Sequence, residues 1–139
     1  MRLHVFVQAL KPGAKARDLL AGAKLVAEAG FGGSETLTAE DLQAVWAPDG
    51  QSIVFAATTN RNAAAYSFVY THLYQVSAAG AEPKQLTRGE ESYFHPVFRP
   101  DGRALYCLYN ARTDKVYTLE RVAKLAWPAP GERGGDRKL

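Results

Sequence analysis

Acid–base, nucleophilic or metal chemistry in this 139-residue chain would have to come from three histidines, one cysteine, and its serines and carboxylates. Their spacing assembles none of it. His4, His72 and His95 are scattered without metal-ligand spacing, and a lone Cys107 cannot complete a thiolate set. A serine hydrolase needs its nucleophile on a Gly-x-Ser-x-Gly elbow between a strand and a helix. Gly32-Gly33-Ser34-Glu35-Thr36 begins that way and lacks the final glycine, so Ser34 is assigned to a flexible loop. No catalytic residue, metal site or cofactor is expected. What remains is a recognition chemistry. Glu90, Glu91, Tyr93 and His95 gather within six residues, and topology brings Arg61, Tyr66 and Arg112 toward them. Arginine offers carboxylates a bidentate fork and glutamate accepts from ammonium groups, so such a rim suits a charged peptide terminus.

The elements that would position this rim are read from a duplication. Val45-Trp46-Ala47-Pro48-Asp49-Gly50-Gln51-Ser52-Ile53-Val54-Phe55 matches Val97-Phe98-Arg99-Pro100-Asp101-Gly102-Arg103-Ala104-Leu105-Tyr106-Cys107, 52 residues later. Proline presets φ at the first central turn position, aspartate bonds back to its own backbone, and glycine takes the positive φ that other residues resist. Pro48, Asp49 and Gly50, and again Pro100, Asp101 and Gly102, are therefore structural turn residues. The flanking runs alternate with period two, so each copy reads as a β-hairpin. Cys107 falls where Phe55 falls in the other copy and reads as a small buried hydrophobe.

A second duplication relates His72-Leu73-Tyr74-Gln75-Val76 and Gln85-Leu86-Thr87-Arg88-Gly89 to His4-Val5-Phe6-Val7-Gln8 and Asp18-Leu19-Leu20-Ala21-Gly22. Residues 1–22 then supply the last two strands of one unit, 23–41 a connecting loop, and 42–89 a full unit. Residues 90–127 make a further unit, full or nearly so, with its last strands at 115–119 and 122–127. Residues 128–139, following Trp127, are read as a flexible tail. A period near 50 with four short strands per repeat is the signature of a propeller blade. The expected fold is thus all-β, a β-propeller fragment of about two and a half four-stranded antiparallel blades in an incomplete ring. A β-sandwich is the alternative.

The paired Trp46-Ala47-Pro48-Asp49-Gly50 and Phe98-Arg99-Pro100-Asp101-Gly102 segments, with the Gln85-Leu86-Thr87 closing strand, resemble the repeats of TolB-like propellers. The same pattern resembles the propellers that precede the catalytic domain in prolyl-oligopeptidase-family serine peptidases, acylaminoacyl peptidases among them. The residue before Pro-Asp-Gly is commonly Ser in that pattern, whereas here it is Ala47 and Arg99. The resemblance implies a non-catalytic propeller that caps a peptidase active site and filters or positions peptide substrates. A TolB-like interaction propeller with no attached hydrolase is the second reading.

The remaining bulk properties exclude more than they identify. Seventeen basic against fourteen acidic residues leave a net charge of +3 with no basic face, so no nucleic-acid partner is expected. No apolar run reaches the ~20 residues that span a bilayer, and residues 1–7 are too short and too soon polar for a secretory signal. The chain is accordingly read as soluble, in the cytoplasm or periplasm, and not on a membrane. Its expected partners are a peptidase catalytic domain and the remaining blades of a parent protein. Open strand edges make a homo-oligomer or strand exchange the other expectation.

Overall fold

The structure, a computed structural model, describes residues 2–35, 39–112, 118–128 and 137–138. Their elements run in chain order as β1 (Phe6–Val7), β2 (Arg17–Asp18), α1 (Lys24–Ala27), β3 (Ser34–Glu35) and β4 (Glu40–Asp41). The first duplicated hairpin follows as β5 (Val45–Trp46) and β6 (Ser52–Ala57), continued by β7 (His72–Ser77) and β8 (Lys84–Gln85). The second is β9 (Ser92–Phe98) and β10 (Ala104–Asn110), continued by β11 (Arg121–Ala126) and β12 (Arg137–Lys138). β5-β6-β7-β8 and β9-β10-β11-β12 are each a four-stranded sheet of antiparallel neighbours in sequence order, and among the described residues β1 pairs only with β2. The chain is all-β, a partial propeller of about two and a half blades, and among the described residues its sheets do not close into a ring.

Both Pro-Asp-Gly turns close with the same bonds. Gly50 N–H donates to the Ala47 carbonyl at 2.9 Å and Gln51 N–H to the Asp49 carboxylate at 2.9 Å, with Gly50 at φ 67°. In the second copy Gly102 donates to Arg99 at 2.9 Å and Arg103 to Asp101 at 3.0 Å, with Gly102 at φ 70°. Arg99, standing before the proline, places its Nε 3.0 Å from the second oxygen of Asp101 and ties the turn from outside.

The blades stack face to face because β6 is buried on both sides. Ile53, Phe55 and Ala57 point to one cluster, where Tyr74 and Val76 join Val5, Leu19, Leu20, Leu25 and Val26 from the preceding half-blade. Val54 and Ala56 point the other way, into a second cluster with Leu73, Tyr93, Leu105, Cys107, Tyr109, Ala123 and Leu125. Strand alternation sorts the residues, and each fully buried large side chain such as Phe55 contributes about 2–3 kcal/mol relative to exposure. Cys107 is buried in this second cluster.

Three sequence-level expectations change. Residues 23–41 are more than a loop. They hold α1, whose Leu25 and Val26 are buried, and the β3–β4 hairpin; the Glu82 carboxylate accepts from Lys24 N–H at 2.8 Å and Leu25 N–H at 3.1 Å. In the last blade the third strand is Arg121–Ala126, pairing along β10 with Cys107 opposite Ala123 and Leu105 opposite Leu125. Of the expected strand at 115–119, residues 115–117 lie outside the described residues, and Leu119 is exposed. Burial explains the change, since only the 121–126 register places Ala123 and Leu125 in the core. The fourth strand is Arg137–Lys138, which pairs with Lys124 and Ala123, so the expected tail from 128 onward carries a strand. The rest of 129–139 lies outside the described residues.

Candidate functional site

At one end of the two full blades lies an open groove of about 310 Å³, lined by Ser34, Thr71, Ser92, His95, Asn110 and Glu120 among others. Its walls are held by backbone ties between blades. Tyr93 N–H donates to the Thr71 carbonyl at 2.7 Å, and Thr71 N–H donates to Ser92 Oγ at 3.2 Å. Asn110 and Ser92 are direct partners across β9–β10. Asn110 Oδ1 is buried and has no hydrogen-bond partner among the described residues.

The expected rim residues divide among five environments. Glu90 and Arg112 meet, Arg112 Nη1 lying 2.8 Å from Glu90 Oε2 on an exposed edge. Such an exposed pair has small energetic weight. Arg61 turns away from them. It begins a short 3₁₀ turn (Arg61–Ala63) and pairs with Glu40, which also accepts from Gly33 N–H at 3.3 Å; Arg61 thereby pins the β3–β4 hairpin. Tyr66 is 92% exposed at the tip of the same loop, whose base is gathered by Asn60: its Nδ2 donates to the Phe68 carbonyl at 2.9 Å, and its Oδ1 accepts from Tyr70 N–H at 3.2 Å.

Tyr93 is turned into the second cluster. It is 1% exposed, its ring stacks on Tyr109 at 5.9 Å, and its hydroxyl donates to Glu91 Oε2 at 2.6 Å. The cause is a β-bulge. Tyr106 pairs with Val97 and Leu108 with Phe94, so His95 and Pro96 together oppose Cys107. The extra residue reverses the side-chain alternation, and Tyr93 and Phe98, five residues apart, both reach the second cluster. Glu91 is thereby tied to a buried phenol rather than projecting over the groove.

His95 is the expected residue that the groove retains. It is exposed, lies at φ 51°, and donates its backbone N–H to Gln43 Oε1 at 2.7 Å. Gln43 is itself left-handed at φ 50°. Two non-glycine residues in that region cost about 1–2 kcal/mol each and sit beside one opening.

Ser34 is corrected as well: it lies in β3 and is buried, a groove wall instead of a flexible loop. Thr71, Ser92 and Glu120 were missed, whereas Asn110 stands in the Asn110-Ala111-Arg112 segment that the sequence puts on the rim side. The signal for Ser92 and Asn110 was present, as polar residues at strand ends of a duplicated hairpin; the Glu120 position depended on the unrecognised register of β11.

Two titrating groups of β7 are displaced by burial. His72 is held below its ordinary range by loss of solvent, opposed by its hydrogen bond to Gly89. Burial, with the charge of Glu28 adding, pushes the Tyr74 phenol up to about 12. The groove therefore offers hydroxyls, an amide, an imidazole and a carboxylate, which is an equipment for hydrogen-bonded recognition. Among the described residues no group of three or more His, Cys, Asp or Glu is arranged to hold a metal ion, and no helix is long and apolar enough to cross a membrane. No protein-family model matches the chain. No curated protein matches it either.

Proposed function

We propose that the chain is the non-catalytic propeller part of a serine peptidase of the prolyl-oligopeptidase family, capping an active site and admitting or positioning peptide substrates. The observation that carries the reading is the duplicated Pro-Asp-Gly hairpin, built with the same bonds at the same place in two stacked blades, in the sequence pattern that resembles those propellers. The polar groove at the mouth of the stack supports it, because a substrate filter needs hydrogen-bonding groups at its opening. The test uses a fluorophosphonate probe for active serine hydrolases. The purified 139-residue chain is expected to remain unlabelled, while the product of the complete reading frame labels at a serine outside these residues. Absence of labelling in that longer product removes the peptidase reading.

The second reading, a TolB-like interaction propeller, is favoured by one observation. Tyr66 and Phe68 project into solvent from a loop that Asn60 holds in place. Ordered, exposed aromatic rings are costly to present to water and suit a protein contact. If the complete product is unlabelled and Tyr66→Ser with Phe68→Ser abolishes a defined protein complex, this second reading stands instead.

A further inference from the structure

We propose that the free edge of β1 is a docking site for an extended strand of another polypeptide, one with alternating apolar side chains and a basic residue. Among the described residues β1 has a neighbour on one side only. Leu19 N–H donates to the Val5 carbonyl at 2.9 Å, so Val5 directs its backbone groups at β2, and by strand alternation those of Phe6 point to the unpaired edge. Along that edge runs a groove of about 240 Å³ between residues 3–6 and residues 40–44. Leu3, Val5 and Leu42 give it an apolar floor, and Glu40 and Asp41 give it an acidic wall.

Two observations indicate what this groove lacks. By the internal duplication β1 corresponds to β7, and β7 has β6 on the matching edge, with six residues in register. Trp46 is 50% exposed at the same end of the stack, whereas its counterpart Phe98 packs against the second cluster and meets Trp127 edge-on at 4.8 Å. Phe6, the counterpart of Tyr74, is 62% exposed where Tyr74 is buried. An added strand would satisfy the outward backbone groups of Phe6, cover both rings, and bring its cation against Asp41, Glu40 being already paired with Arg61. Strand addition of this kind draws affinity from main-chain hydrogen bonds and selectivity from alternate side chains. The inference rests on the blade organisation and stands independently of the peptidase reading, so either experiment can fail alone.

The test is a titration of the ¹⁵N-labelled chain with a synthetic peptide of residues 103–110 carrying Cys107→Ser, the strand of this sequence that joins Arg103 to a run of apolar residues whose side chains alternate between the two faces of a strand. Saturable shifts are expected at the amides of residues 4–8 and at the Trp46 indole. Arg103→Glu in the peptide should weaken binding roughly two- to fivefold, the range of a partly exposed ion pair. Phe6→Pro in the chain, which removes the outward N–H, should abolish the shifts; if that variant fails to fold, Gln8→Pro, beyond the paired strand, should weaken them. Non-saturating shifts, shifts confined to β8 or β12, or equal binding by a folded proline variant would overturn the proposal. Concentration-dependent shifts of the same amides without peptide would assign the edge to a second copy and overturn the choice of occupant.

Discussion

Tyr74 shows how one residue links packing to pH. Its ring stacks on Phe55 at 5.7 Å in the core between the half-blade and the central blade, and the same burial keeps its phenol protonated up to about 12. In the unfolded chain it would titrate near 10.0. The unfolded state therefore binds fewer protons between those two values, so this contribution is complete below pH 10 and lost as pH rises toward 12. The loss is on the order of 2 kcal/mol. Tyr74→Phe is expected to flatten the decline in urea-unfolding stability across that window while leaving neutral-pH stability within ~1 kcal/mol, the hydroxyl being all that is removed. An unchanged alkaline decline in the variant would transfer the effect to another group. Tyr93 teaches the complementary lesson. Its aromatic and acidic neighbours suggested a surface rim, and nothing in residue type reports the one-residue bulge that turned it inward.

At the scale of elements, the two Pro-Asp-Gly hairpins are alike in hydrogen bonding and unlike in surroundings. A Cβ added at Gly50 would meet nothing within 4 Å, whereas one added at Gly102 would lie 3.3 Å from Pro48 Cβ. The second turn thus packs on the first. Both substitutions carry the left-handed backbone cost of about 1–2 kcal/mol. Gly102→Ala should therefore lower the thermal midpoint further than Gly50→Ala, and calorimetry on the two single variants checks the order. Equal shifts would mean that the turns move independently. These hairpins were legible because proline, aspartate, glycine and a period-two flank are all local signals. The two-residue strands β3, β4 and β12 have no period to detect. Helix α1 depends on Glu82, 58 residues away for Lys24, a contact that only the stacked fold creates. The groove was partly legible for the same reason: His95 lies in β9, the strand that leads into the second duplicated turn, while Glu120 needed the pairing of β11.

For the whole molecule, the outer face of the last blade is the consequence of stacking without closure. Val97, Tyr106, Leu108 and Val122 occupy the positions that Val45, Val54, Ala56 and Leu73 hold in the central blade. The central set lies in or against the second cluster, yet Val97 is 60% and Val122 48% exposed. A contiguous apolar sheet face of this kind favours association. Sedimentation velocity is expected to show concentration-dependent self-association that Val97→Lys with Val122→Lys suppresses, with the melting temperature little changed because both side chains are already solvated. Identical profiles for the two proteins would mean that this face does not drive assembly.

The two-sided burial of β6 has a further consequence, for how the strand knows its place. Most half-buried strands are locked by polarity, because sliding one residue would turn apolar groups out to water. All six residues from Ser52 to Ala57 are buried, so such a slide exchanges one interior for another. Polarity carries little positional information there. The alignment is carried by side-chain size, with Ile53 and Phe55 in the first cluster and Val54 and Ala56 in the second, and by the Pro48-Asp49-Gly50 turn that fixes where the strand begins. The turn is in that sense a ruler, setting the register on which both cores depend.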